Sequence, residues 1–117
     1  MRFTFKKYER LTSKKQMDDL FSSGKSSFCY PIKFLVSDTI SVPGEMTKVL
    51  FSVPKRNIKH ANKRNLVKRR MREAYRLNKQ ILTRKDSIYV MAFIYTEKKP
   101  VDYPIIEKAI ITLLRKI

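Results

Sequence analysis

Lys59-His60-Ala61-Asn62-Lys63-Arg64-Asn65-Leu66-Val67-Lys68-Arg69-Arg70-Met71-Arg72-Glu73-Ala74-Tyr75-Arg76-Leu77-Asn78-Lys79-Gln80-Ile81 sets the architecture of this 117-residue chain. Neither glycine nor proline interrupts it, and at about 100° per residue it divides into two faces. Leu66, Val67, Met71, Ala74, Leu77 and Ile81 form a broad apolar arc. Arg64, Asn65, Lys68, Arg69, Arg72 and Arg76 gather on the other side. The pattern predicts one long helix over 59–81 with an inner face for a sheet and an outer face for something else.

The flanks supply the sheet. Upstream, Lys48 to Val53 reads as a strand that Pro54 closes. Downstream, Ser87 to Tyr95 is almost continuously apolar, as expected of a central strand buried on both faces. Before them, Phe28 to Val36 alternates: Phe28, Tyr30, Ile32, Phe34 and Val36 to one side, Cys29, Pro31, Lys33 and Leu35 to the other. That is a strand, with Pro31 at an edge or bulge. Asp38 to Thr47, with Pro43-Gly44, is an inter-strand loop.

Two further helices bracket the sheet. Ser13 to Ser23 carries Met17, Leu20 and Phe21 on one face. Ser13 and Gln16 stand in capping-box order, and Gly24 suits a left-handed turn at its end. Asp102 is placed to cap a last helix, with Pro104 in the first turn. Ile105, Ile106, Ala109, Ile110, Leu113 and Ile117 are its apolar stripe. The sum is an α/β (α+β) two-layer sandwich, a central mixed sheet with three helices, in one domain over 1–117.

Charge says what the outer face of the long helix is for. The chain has 27 Lys and Arg against 10 Asp and Glu, a net +17 with a pI near 10.3. Between Lys55 and Lys79 lie eleven of those cations and one acid, Glu73. Crowded like charges destabilise an isolated helix, so folding does not ask for them; phosphate does. An ordinary solvated face mixes both signs, and this one barely does. Asn65, inside the strip, can bond a base edge, a 2′-hydroxyl or a backbone carbonyl.

Other chemistries find little support. There is one histidine, His60, so no histidine pair for acid–base work, and it reads as a helix-start residue or a contact to a polyanion. The carboxylates are few and scattered, Asp18 and Asp19 reading as solvated, so no metal site is expected. The single cysteine, Cys29, reads as a small filler at its strand and fits a reducing compartment. Gly24-Lys25-Ser26 resembles the end of a phosphate-binding loop but lacks its first glycine and preceding strand. With no long apolar run and no secretory signal, the expected location is cytoplasmic, away from membrane.

The run from His60 to Tyr75 resembles the signature helix of the bacterial ribonuclease P protein component. Arg64, Asn65, Lys68, Arg69, Arg72, Glu73 and Tyr75 match that motif position by position. Phe51-Ser52-Val53-Pro54-Lys55-Arg56-Asn57 is similar to the family's strand ending in a basic pair. Arg10-Leu11-Thr12-Ser13, Leu20-Phe21 and Gly24-Lys25 look like its first helix. Leu66 departs from the usual second arginine and Arg70 from an aliphatic residue; Arg70, at the core's margin, is a candidate to replace the contact missing at 66.

The resemblance implies a sandwich whose basic helix joins two parallel strands by a left-handed crossover. It implies a subunit of an endoribonuclease that removes the 5′ leader of precursor tRNA. The RNA subunit would make the cut with Mg2+, and the protein would hold no cofactor and take no small-molecule substrate. Lys55, Arg56, Arg64, Asn65, Lys68, Arg69, Arg72 and Arg76 are the expected contacts to the ribonuclease P RNA. Met17, Phe21, Lys33 and Leu35 are the expected cleft for the single-stranded leader, although Met17 and Phe21 read equally well as core. Two alternatives stay open on the residues: a ribosomal or ribosome-assembly RNA-binding protein with a similar sandwich, and a basic helix for DNA or a membrane surface.

Overall fold

The computed structural model describes residues 14–39, 47–84 and 88–117. Ser13, Pro43 and Gly44, and with them the capping-box expectation, lie outside the described residues. Helix α1 (Lys14–Ser23) leads into β1 (Lys25–Cys29) and β2 (Ile32–Thr39). Strand β3 (Lys48–Ser52), helix α2 (Ala61–Asn78), a 3₁₀ helix (Lys79–Arg84), strand β4 (Ile88–Tyr95) and helix α3 (Tyr103–Arg115) follow. The sheet order is β1-β2-β4-β3, antiparallel except for the parallel pair β3 and β4 that α2 connects.

As its apolar run predicts, β4 is central. Helices α2 and α3 pack on each other and on one face of the sheet, while α1 packs on β2 and β4. The larger core contains Ile32, Phe34, Val49, Phe51, Met91, Phe93 and Tyr95 of the sheet with Val67, Met71, Ala74 and Tyr75 of α2 and Ile106, Ala109, Ile110, Leu113 and Leu114 of α3. Its centre is aromatic: Phe93 lies 4.8 Å from Phe34, 5.5 Å from Phe51 and 6.1 Å from Tyr75, between ring centroids. The smaller cluster is Leu20, Leu35, Val90 and Ala92, with Met17, Leu50 and Ile94 against it.

Several expectations change. The single strand over 28–36 is a hairpin. Tyr30-Pro31, joined by a cis peptide, forms its turn, and Cys29 pairs with Ile32. Proline has no N–H to give a ladder, so a turn accommodates it where a strand interior would not. Because opposed residues in an antiparallel pair share a face, the turn reverses the expected parity. Phe28 pairs with Lys33 and leaves the side of Phe34, while Cys29 joins the larger core.

Gly24 is not in the left-handed region. A Cβ there would sit 2.5 Å from the Leu20 carbonyl oxygen and 2.9 Å from its Cδ1. The glycine is needed for close approach, because the Gly24 N–H donates to that same carbonyl at 2.9 Å. Helix α2 is also shorter than 59–81. Its buried positions are Val67, Met71, Ala74 and Tyr75, spaced for one stripe; Leu77 is exposed, and the 3₁₀ helix turns Leu82 inward instead. On α3, Ile105 likewise faces solvent.

Polar bonds fix the ends of the elements. Asp102 occupies the cap position of α3, but through its carbonyl, which accepts from the N–H groups of Ile105 and Ile106; its carboxylate makes no cap bond. Asn78 Nδ2 donates to the Ala74 carbonyl at 2.8 Å and to Glu107 at 3.3 Å, tying α2 to α3. The Tyr95 hydroxyl donates to the Lys99 carbonyl at 2.5 Å and accepts from the Val101 N–H at 3.0 Å. Burial pushes that phenol up to about 12, against the lowering effect of the Val101 N–H. Tyr103, which donates to Glu107, is also raised to about 12, burial first and the carboxylate second.

Candidate nucleic-acid interface

Burial of Val67, Met71, Ala74 and Tyr75 turns the opposite side of α2 outward. Asn65 and Arg69 are exposed there, with Lys68, Arg72 and Arg76 half-buried beside them, while Lys63 and Arg64 extend the other side at the N-terminal end of the helix, exposed and half-buried respectively. Residues three and four apart on a helix are neighbours, so Asn65, Lys68, Arg69 and Arg72 form one contiguous patch. Lys55 and Arg56 are exposed at a turn just before the helix. Three hydrogen bonds and a buried side chain hold that turn: the N–H groups of Asn57 and Ile58 donate to the Pro54 carbonyl, Asn57 Nδ2 donates to the Tyr95 carbonyl at 3.0 Å, and Ile58 is buried as a plug. The two cations are thus presented on a braced segment.

The cations are not equivalent. Arg64 Nη1 donates to the Ile58 carbonyl at 2.9 Å and the Lys59 carbonyl at 2.6 Å, folding back over the chain that enters α2. It braces the interface as well as charging it. Arg76 is ion-paired with Glu73 one turn away. That hydrogen bond holds the Glu73 carboxyl below its usual range and Arg76 above its own, so much of the Arg76 charge is compensated locally. Arg70 donates to the Val101 carbonyl at 2.6 Å, pinning α2 to the segment before α3. Its Nη1 is directed to that carbonyl, so this side chain has a structural role beside any contact it makes in place of the one missing at Leu66. The Glu73–Arg76 pair is visible from its i,i+3 spacing; the sequence had no signal for the Arg64 and Arg70 bonds or for that of Asn57, since each joins positions whose proximity the fold creates.

The second candidate site lies across the sheet. Met17, Phe21, Lys33 and Leu35 all come to the α1 side. Leu35 is 7% exposed, packed with Leu20 as the floor of the smaller cluster, and Met17 is half-buried against it. Phe21 is 54% exposed, so it is no part of the core, and Lys33 is also exposed. The two candidate sites therefore occupy opposite faces of one sheet, with β3 and β4 between them.

His60 stands at the N-cap position of α2 without a side-chain cap bond. Among the described residues, no three His, Cys, Asp or Glu side chains gather to hold a metal ion. No described helix is long and apolar enough to cross a membrane.

Comparison with known proteins places this geometry. The family model described as Ribonuclease P matches residues 5–117. A ribonuclease P protein component from Porphyromonas gingivalis is 33% identical over 111 residues, covering 92% of this chain and 81% of the relative. One from Buchnera aphidicola is 30% identical over 95 residues, covering 77% and 76%. Among solved structures, the RNase P protein from Thermotoga maritima gives a TM-score of 0.75 at 23% identity, covering 93% of this chain and 97% of that one. The Staphylococcus aureus RNase P protein gives 0.75 at 16%, covering 92% and 94%. At those identities the structural likeness is one of fold.

Proposed function

We propose, since this chain belongs to the ribonuclease P protein component family, that its two candidate sites divide the two RNAs of the reaction between them. As a member it is a subunit of the ribonuclease P holoenzyme, the endoribonuclease that processes precursor tRNA, and its partner is the RNA subunit. Lys55, Arg56, Asn65, Lys68, Arg69 and Arg72 hold that RNA, Arg64 sets the angle of the lead-in turn, and Arg76 adds a partly compensated charge. Met17, Phe21 and Lys33, over Leu35, take the single-stranded 5′ leader of precursor tRNA.

The observation that carries the reading is the one-sidedness of α2. One side is fully used by the core, and the other concentrates cations far beyond what helix stability favours. Backbone phosphates are the ligand that rewards such a face, and guanidinium groups add bidentate geometry. Among the described residues no carboxylates gather to hold a metal ion, and this reading gives the metal-dependent chemistry to the RNA, with no step routed through the protein. This function places the protein in the cytoplasm.

Leader binding has a direct test. In the reconstituted holoenzyme, affinity for precursor tRNA is expected to rise as the 5′ leader is lengthened from none, then to level off once the α1 side of the sheet is filled. Stacking contributes about 1–3 kcal/mol per base, so the rise should exceed tenfold. Affinity independent of leader length would remove the leader from this assignment and leave the α2 face as the protein's sole RNA site.

A further inference from the structure

The Tyr30-Pro31 turn has a consequence for the α1 side of the sheet. By reversing the parity of β1, it brings Phe28 directly opposite Lys33, on the face that carries Leu35. Helix α1 packs over β2 and β4, and Gly24 sends the chain straight from α1 into β1. Among the described residues nothing covers the neighbouring surface of β1, and Phe28 is 54% exposed there. The half of the phenyl ring that lies in water gains nothing for the fold. Its cross-strand neighbour is a cation, and a second exposed ring on this side, Phe21, projects from α1.

We propose that Phe28 and Lys33 form a stacking subsite for an unpaired base of the 5′ leader, on the edge strand beyond the cleft under α1. This rests on the leader reading given above. Directly opposed residues have Cβ atoms about 4.5–5.5 Å apart, close to the reach between a nucleotide's base and its own phosphate. Phe28 offers the base an apolar plane, and Lys33 offers the phosphate an ammonium. An aromatic face beside a cation is the arrangement by which single strands are held without regard to sequence. A second copy of this chain is a poor occupant, because two molecules at +17 repel and Lys33 breaks the apolar surface. The neighbouring residue on the same face of β1 is Ser26, small and polar, which leaves the approach along the strand open.

The test uses the holoenzyme reconstituted with the RNA subunit, and precursor tRNA with and without a leader. Phe28→Ala removes an exposed ring and should fold normally. It is expected to weaken binding of the leader-bearing precursor on the order of tenfold, with leaderless tRNA and the RNA subunit bound as before. The chain contains no tryptophan, so Phe28→Trp introduces a single reporter. It is expected to keep affinity and to show fluorescence quenching with leader-bearing precursor alone. If unsubstituted protein gains affinity from a leader and Phe28→Ala gains just as much, the subsite is refuted and the cleft stands. If a leader adds nothing even to the unsubstituted protein, the leader reading fails and the subsite fails with it. Equal losses on leaderless and leader-bearing tRNA would give Phe28 to another contact and also overturn the proposal.

Discussion

Replacing Lys68 and Arg69 together with alanine is expected to lower affinity for the RNA subunit by more than about a hundredfold at moderate salt. Hydrogen bonds to charged groups contribute about 1.5–3 kcal/mol each, and two phosphate contacts are removed. The slope of log affinity against log salt should flatten by roughly two, at about 0.9 for each phosphate no longer neutralised. The fold should not change. Alanine is the best helix former, Arg69 is exposed, and neither residue belongs to the core clusters. Arg64→Ala is a less clean test, because it also releases the carbonyls of Ile58 and Lys59. Unchanged affinity for the double variant, with an unchanged circular dichroism spectrum, would move the RNA off this face of α2.

Phe93→Ala is expected to bring the protein close to unfolding. The ring is fully buried and contacts Phe34, Phe51 and Tyr75, so it joins β2, β3, β4 and α2 at one point. Truncating a buried phenylalanine costs about 3–5 kcal/mol, out of a total near 5–15 kcal/mol. In urea, with a slope of about 1–3 kcal/mol per M, the midpoint should fall by roughly 2 M. RNA added in excess should recover part of the loss, since a ligand that binds only the folded state stabilises it. A midpoint shift of a few tenths of a molar would mean that the aromatic centre is not what joins α2 to the sheet.

Much of the fold is legible in the residues because the strongest periodicities coincide with the deepest burial. Val67, Met71 and Ala74 announce the inner face of α2, and the apolar run ending at Tyr95 announces a strand covered on both sides. What escapes is decided by single backbone events. Alternation through Phe28, Tyr30 and Ile32 is genuine at the sequence level, yet a two-residue turn at Tyr30-Pro31 divides it and exchanges the faces. Tyr75 rather than Leu77 completes the buried stripe, since Tyr75 stands eight residues after Val67 on the same face, and past Asn78 the chain tightens into a 3₁₀ turn that brings Leu82 inward. Gly24 is required by the Leu20 carbonyl, a contact that no propensity encodes.

The candidate sites divide in the same way. Composition and spacing locate the cationic face of α2, but they do not distinguish Lys68 and Arg69 from Arg64, Arg70 and Arg76, whose guanidinium groups are directed to carbonyls or to Glu73. On the other side of the sheet, Phe21 and Lys33 are as exposed as a leader contact requires. Leu35 is floor rather than wall, and Phe28 enters once the hairpin is known.

The most direct measurement is cleavage of a 5′-extended precursor tRNA by its cognate ribonuclease P RNA at low Mg2+, with and without this protein. Accurate removal of the leader that appears when the protein is added, and is lost with the Lys68 and Arg69 double variant, is the expected result. Tight binding of that RNA with no stimulation of cleavage would contradict it, and would favour a ribosomal or assembly role for the same basic face.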